Sequence, residues 1–247
     1  MRRRTRRDNA APQLGGKRGS ARGGDAPILS GTAPPLYGQL RQQGLEAPTL
    51  PGRARPLILF ALHDESIAAL LTLLAESNGY EVRHVRYADE AWDMVHALSP
   101  DLVVVSQYLF HATGEELVAA LRNWPDPLIN RVVIQFLGTG AAGAHRALSR
   151  GADDYVTIPE TTKNLLAAWR RLIAQPLRPA PLAALLNPSL VVRYFAIELV
   201  IPHGDAAVEG LAALLLHAQA DIQTAARTAL KRIGTVRALA VLEETGI

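Results

Sequence analysis

The sequence predicts an α/β fold: a five-stranded parallel sheet covered by helices on both faces, followed by a wholly helical segment. Three observations carry this expectation. Short apolar runs alternate with stretches of helical periodicity between residues 57 and 174. The links between them are short, as in parallel sheets whose strands are joined by helices. After the proline-bounded stretch 176–181 the strand-like runs stop, and only helical periodicity remains.

Residues 57–62 (LILFAL) are continuously apolar, the pattern of a strand buried on both faces. Residues 66–77 place Ile67, Leu70, Leu71 and Leu74 at helical spacing. Gly79 ends that helix, a usual role for glycine. A short strand is expected at 81–86 and a helix at 90–98. Residues 102–105 (LVVV) read as another buried strand, and 115–122 as a helix. A strand at 132–136, a helix at 141–149, a strand at 155–157 and a helix at 163–174 complete the alternation.

The segment 182–247 is helical in pattern and weakly repeats itself. A shift of about 30 residues aligns Val192 with Ile222, Ala196 with Ala226 and Val200 with Leu230. It also aligns Leu185 with Leu215 and Leu211 with Val241. Such a period suggests stacked helical hairpins, because one hairpin cannot bury its apolar face alone. Packing against the α/β part is expected through the helix at 163–174.

Residues 1–56 show no sustained apolar period, and they read as a disordered basic tail. They hold 11 Lys/Arg against 3 Asp/Glu, a net of +8; residues 57–247 hold 15 against 20, a net of −5. The basic character therefore belongs to the tail. Arg2, Arg3, Arg4, Arg6, Arg7, Lys17, Arg18 and Arg22 form a cationic arm. It reads either as a solvated tail that keeps the protein soluble or as an arm that attracts nucleic acid or another anionic surface, weakly and without sequence preference. A short helix at 36–45 could serve as a docking motif. There is no cysteine, which excludes disulfides, thiolate metal sites and a cysteine nucleophile. No apolar run is long enough for a membrane helix, and no secretory leader is visible.

The run Gly151-Ala152-Asp153-Asp154-Tyr155, followed by Val156, Thr157, Ile158 and Pro159, is the most specific motif in the chain. With Pro100-Asp101-Leu102-Val103-Val104-Val105 and Gly79-Tyr80-Glu81-Val82, it resembles response-regulator receiver domains. The resemblance covers residues 57–173. It implies a doubly wound five-stranded parallel sheet, the flavodoxin-like receiver fold, with its site at the carboxyl ends of the strands. It divides the chain into a tail at 1–56, a receiver-like domain at 57–175 and a helical segment at 176–247. That last segment resembles HEAT-like short repeats, through Val192-Arg193 with Ala196 and through Ile233-Gly234. The repeat motif is degenerate, since Gln223 stands where an arginine is common.

The resemblance implies two acidic residues after the first strand and an acceptor aspartate after the third, which together hold Mg²⁺ through oxygen ligands. A lysine before the proline balances the charge of the transferred phosphoryl group. In this sequence the acidic pair falls on Leu62 and His63, the acceptor on Ser106 and the lysine on Ile158. The hydroxyl position after the fourth strand falls on Phe136 or Leu137. Asp64 and Glu65 would supply metal ligands only if the first strand slipped by two residues. Ser106 reads as a strand-end hydrogen-bonding residue rather than a nucleophile. Tyr155 and Pro159 are expected to form a docking face.

The expectation is a pseudo-receiver with no catalytic residues, metal or cofactor. It would act as a cytoplasmic, non-enzymatic adaptor for protein partners in a two-component signalling system. A homodimer through the face containing strands four and five is the expected self-association. The alternative is a nucleic-acid-associated regulator working through the arm. The seven histidines are scattered without ligand spacing, so no enzyme or metal site is expected.

Overall fold

A computed structural model describes residues 53–174 and 179–245. The basic arm and the short helix expected at 36–45 lie outside the described residues, as does part of the 176–181 link. The first described residue, Arg53, already touches the domain: its guanidinium donates to the carbonyls of Leu98 and Ser99.

The α/β part runs β1 (Leu57–Ala61), α1 (Glu65–Ser77), β2 (Glu81–Val85), α2 (Ala88–Leu98), β3 (Leu102–Ser106), α3 (Gly114–Asn123), α4 (Pro127–Asn130), β4 (Ile134–Gly138), α5 (Gly140–Ser149), β5 (Asp154–Thr157) and α6 (Thr162–Ala174). The sheet order is β2-β1-β3-β4-β5, with every pair parallel. Strand residues alternate between its two faces. Leu59, Ala61, Val103, Val105 and Phe136 meet Trp92 and Val95 of α2, Leu117 and Leu121 of α3, and Ala144 and Leu148 of α5. Ile58, Phe60, Leu102, Val104 and Leu137 meet Leu71 of α1 and Leu165, Trp169 and Leu172 of α6. The sheet is therefore doubly wound.

Local signals set the helix starts. Asp64 caps α1, its carboxylate accepting from the Ser66 and Ile67 amides at 2.9 and 3.0 Å. Thr113 and Glu116 form a reciprocal capping box at α3. Two local expectations shift. The fourth strand begins at Ile134 rather than 132, because the carbonyls of Asn130 and Val132 are held by Arg122 Nη1 at 2.9 and 2.7 Å. The short helix α4, with Asp126 at its N-cap and Pro127 in its first turn, is an addition to the expected elements.

The C-terminal segment is all helical: α7 (Pro181–Ala184), α8 (Leu190–Val200), a 3₁₀ turn (Ile201–His203), α9 (Asp205–Leu215), α10 (Ala220–Ile233) and α11 (Val236–Glu244). Val192, Ala196 and Val200 of α8 are buried, as are Ile222, Ala226 and Leu230 of α10, which are their partners under the 30-residue shift. Arg193, itself buried, ties α8 to α10 through Asp221 at 2.8 Å.

The docking between the two parts differs from expectation. Helix α8 packs chiefly on α5, and α7 packs on β5. Helix α6 contributes mainly through Arg171, which donates to the Leu186 carbonyl at 3.1 Å. The reason lies in the side chains. Helix α6 turns Leu165, Trp169 and Leu172 to the sheet and exposes Lys163 and Arg170. Helix α5 is built from small residues, and His145 meets the Phe195 ring at 5.2 Å. The short helix α7 joins both layers: Leu182, Ala184 and Leu185 lie in the core on one side of the sheet, and Ala183 in the core on the other.

A buried polar cluster joins the two parts. The Asp154 carboxylate accepts from Arg171 Nη2 at 2.9 Å and from Asn187 Nδ2 at 2.8 Å. Asn187 Nδ2 also lies 2.7 Å from the Tyr155 carbonyl, and Asn187 Oδ1 accepts from the Ser189 amide. Gln135 bridges the Asp154 carboxylate to the Trp169 indole, which donates to Gln135 Oε1 at 2.8 Å. Burial holds the Asp154 carboxyl above the usual carboxylate range, and Arg171, Asn187, the Tyr155 amide and Gln135 offset only part of that rise.

Replacing Asp154 by alanine strands Arg171, Asn187 and Gln135 without their shared acceptor. Asp154→Ala is expected to lower stability by about 3–5 kcal/mol, measured by urea unfolding. A second expectation concerns pH. His96 packs against Trp92 at a tilt and against Trp124 edge to face, with Nδ1 donating to the Trp92 carbonyl at 2.8 Å. Burial lowers its pKa, against smaller raising effects of that carbonyl, Asp93 and Asp126. The unfolded chain therefore takes up this proton first as pH falls. Stability is lost as pH drops below about 6.5 toward the lowered folded value. Urea midpoints between pH 7.5 and 5.5 should fall less steeply in His96→Gln.

Candidate functional site

The carboxyl ends of parallel strands are where open α/β sheets place their sites. Here β1 and β3 run side by side, with Ala61 opposite Val105, so the residues after them emerge together. A pocket of about 190 Å³ opens at that point, lined by Leu62, His63, Asp64, Ile67, Ser106, Gln107, Tyr108, Leu137, Gly138, Thr139 and Ile158. Leu62, His63, Ser106 and Ile158, separated by as much as 96 positions in sequence, share this one cavity.

Most polar groups around it already have partners. The Ser106 hydroxyl donates to the Tyr108 carbonyl at 2.6 Å, as expected of a strand-end serine. The Leu62 amide donates to Val85 O, and its carbonyl faces His84 Nε2 at 2.9 Å. The Gln107 amide donates to Leu137 O, and Ile158 N to Gly138 O. Asp64 is spent on the α1 cap, and Glu65 pairs with Arg86. His63 and Tyr108 stand edge to face at the mouth, with ring centroids 6.0 Å apart.

Both residues considered for the hydroxyl position after the fourth strand, Phe136 and Leu137, lie within β4. Leu137 lines the pocket opposite Ser106, while Phe136 faces the other side of the sheet. Sequence reasoning missed Thr139, whose hydroxyl-bearing side chain lines the pocket from the loop after β4. The two-residue shift of β4 hid it. Gln107 and Tyr108 were also missed, and nothing in their sequence spacing announces them.

Tyr155 does not lie on a surface. It is 1% exposed, and only its neighbour Pro159 of the expected docking pair is exposed. The ring stacks on Phe136, and its hydroxyl donates to the Gly140 carbonyl at 3.3 Å. Burial pushes this phenol up to about 12. Gly138 and Gly143 make room for it: a Cβ on either would stand 2.6 or 2.7 Å from the hydroxyl. The face of strands four and five, where pairing of two copies was expected, is thus partly covered by α7 and α8 of the same chain. No helix among the described residues is long and apolar enough to cross a membrane.

The sequence matches the response regulator receiver domain family over residues 58–170, the span that holds this pocket and all of the sheet except Leu57. Residues 58–170 are a response regulator receiver domain. The receiver domain is a signalling module of two-component systems. Over 132 residues the chain is 29% identical to the phosphate regulon transcriptional regulatory protein PhoB of Rhizobium meliloti (strain 1021), covering 53% of this chain and 58% of that protein. Over 116 residues it is 30% identical to the DNA-binding response regulator MtrA of Mycolicibacterium smegmatis, covering 47% and 50%. The chain spans about half the length of the curated relatives it matches. Among solved structures, it is similar to the receiver domain of a signal transduction histidine kinase from Syntrophus aciditrophicus, with 26% identity, a TM-score of 0.46, and coverage of 50% and 93%. It is likewise similar to the receiver domain of a sensor histidine kinase from Pseudomonas aeruginosa PAO1, solved with magnesium in its active-site cleft, with 22% identity, a TM-score of 0.46, and coverage of 49% and 100%.

The receiver domain's tyrosine slot has a direct test. Gly143→Ala should cost about 1–3 kcal/mol by crowding the Tyr155 hydroxyl. In a Tyr155→Phe background the same change should cost clearly less, because the nearest ring atom is then 3.5 Å away. Thermal unfolding of the four variants in one cycle measures the difference.

Proposed function

We propose that the chain is a phosphorylation-independent pseudo-response-regulator, a non-catalytic adaptor that binds protein partners in a signalling system. One observation carries the reading. Leu62, His63, Ser106 and Ile158, the positions where phosphoryl chemistry requires two acids, an acceptor aspartate and a lysine, line a single pocket. Aliphatic side chains neither ligate a metal nor neutralise a phosphoryl group.

The donor set does not fit Mg²⁺, which takes near-octahedral oxygen ligation with carboxylate support. Asp64 is the one carboxylate lining the pocket, and its Oδ1 is committed to the α1 amides. The Ser106 hydroxyl is turned to a backbone carbonyl rather than to a general base. No phosphoryl-transfer step follows from this arrangement.

In this reading residues 57–175 are the pseudo-receiver, residues 176–247 are HEAT-like repeats that offer a protein-binding surface, and the protein works in the cytoplasm. The buried pairs related by the 30-residue shift support the repeat reading. Exposed Leu190, Val191 and Tyr194 on α8 supply apolar surface for a partner. The charge of the arm, +8 over residues 1–56, favours one second reading, a nucleic-acid-associated regulator.

Incubation of the full chain with acetyl phosphate and Mg²⁺ should leave its intact mass unchanged at neutral pH. A stable adduct of one phosphoryl group would overturn the proposal. Affinity capture with the full chain and with residues 57–247 separates the two readings. The adaptor reading expects both to retain the same proteins. Retention by the full chain alone, abolished by nuclease, would transfer the function to the arm.

A further inference from the structure

We infer that the pocket at the carboxyl ends of β1 and β3 is a binding site for a small, neutral, apolar molecule. The inference rests on the pseudo-receiver reading and names the ligand class of that same site. It stands on the lining, the size and the position of the cavity.

Leu62 and Leu137 form the floor, at 1% and 2% exposure, and Ile67 and Ile158 form the half-buried walls. Around this apolar floor the Ser106 hydroxyl and the main-chain groups of Leu62, Gln107 and Ile158 are satisfied within the protein, and His63, Tyr108 and Thr139 stand at the rim. Ser106 Oγ bonds to Tyr108 O, Gln107 N to Leu137 O, Ile158 N to Gly138 O, and Leu62 through both its amide and its carbonyl. An anion entering here would leave water to sit against four aliphatic side chains, at a large desolvation cost. A cation would meet a single carboxylate, Asp64, whose Oδ1 is already bonded to two amides. A neutral apolar molecule gives up little hydration and gains contact with four aliphatic side chains.

Size narrows the class further. An apolar cavity near 150 Å³ accepts benzene in a well-studied lysozyme variant. The present pocket, at about 190 Å³, suits a molecule of about six to nine heavy atoms. His63 and Tyr108, edge to face at the mouth, would lie against a planar ring. The position is the switch point of the sheet, where β1 leads outward to β2 on one side and β3 to β4 on the other. A ligand there touches the ends of β1, β3, β4 and β5 together.

Toluene is a suitable probe, titrated into the full chain with ¹³C-labelled Ile and Leu methyl groups. Saturable shifts are expected at Leu62, Leu137 and Ile158, with intermolecular NOEs and a Kd on the order of 0.1–1 mM. Benzoate, of similar shape but charged, should bind at least roughly ten-fold more weakly. Leu137→Phe fills the floor, and Ile158→Phe fills the half-exposed wall should the first variant fold poorly. Either filled variant should lose toluene binding by roughly ten-fold or more. No saturable shift at these methyls up to the solubility of toluene, equal binding of benzoate, or unchanged binding in a folded filled variant would overturn the inference. Acetyl phosphate with Mg²⁺, added separately and read by intact mass, tests the underlying reading. An absent adduct with absent toluene shifts would sink the ligand inference alone.

Discussion

The buried carboxylate of Asp154 is the point on which the two halves of the described structure depend. It sits at the start of the outermost strand on one side of the sheet, with water excluded. A charge in that place is tolerable only if several donors reach it. They come from three directions: Arg171 from α6, Gln135 from β4 and Asn187 from the turn before α8. The first two belong to the receiver fold, whereas the third belongs to the helical segment. The same amide of Asn187 also bonds the β5 backbone, and Arg193 holds the Asn187 carbonyl at 2.7 Å. Arg193 in turn reaches Asp221 on α10. One continuous polar chain thus runs from the sheet into the second layer of helices. The apolar contacts around it, α8 on α5 and α7 on β5, fix the two parts in a single arrangement.

Much of this was legible in the sequence, for identifiable reasons. Strands buried on both faces appear as unbroken runs such as LILFAL and LVVV, which no turn or exposed helix imitates. The motif GADDY marks a strand entry whose two aspartates have separate tasks. Asp153 pairs with Arg122 and caps the Ile134 amide, while Asp154 turns to the helical segment. The sequence shows the two acids, but their division of labour depends on partners 17 to 33 positions away. The β4 boundary slipped for the same kind of reason. Val132 and Val133 look like strand residues, yet Arg122 claims the Val132 carbonyl. Asn187 had no local signal, because its value lies entirely in tertiary contacts.

The pocket residues were legible through strand ends alone, because parallel pairing brings the residues after each strand to one rim. Leu62, His63, Ser106 and Ile158 arrive there by topology, whatever chemistry their side chains offer. The chemistry is a separate matter, set by who already holds each hydrogen-bonding group. The glycines at 138 and 143 illustrate the same separation. In sequence they belong to a glycine-rich stretch at 138–143 that lacks the lysine of a phosphate-binding loop. In the fold they are the walls of a slot that admits the Tyr155 ring.

The short helix α7 has a consequence for how copies of the chain meet. A parallel sheet that stops at β5 offers a row of main-chain groups on its last strand, and such rows recruit strands from neighbouring molecules. Helix α7 contributes side chains to the cores on both sides of the sheet, so it crosses over that boundary rather than resting on one face. The Asn187 amide adds a bond to the β5 backbone beside it. The helical segment therefore works as a guard rail on the sheet. Among the described residues it leaves β2, at the opposite margin, as the side from which strand-to-strand association between molecules can start.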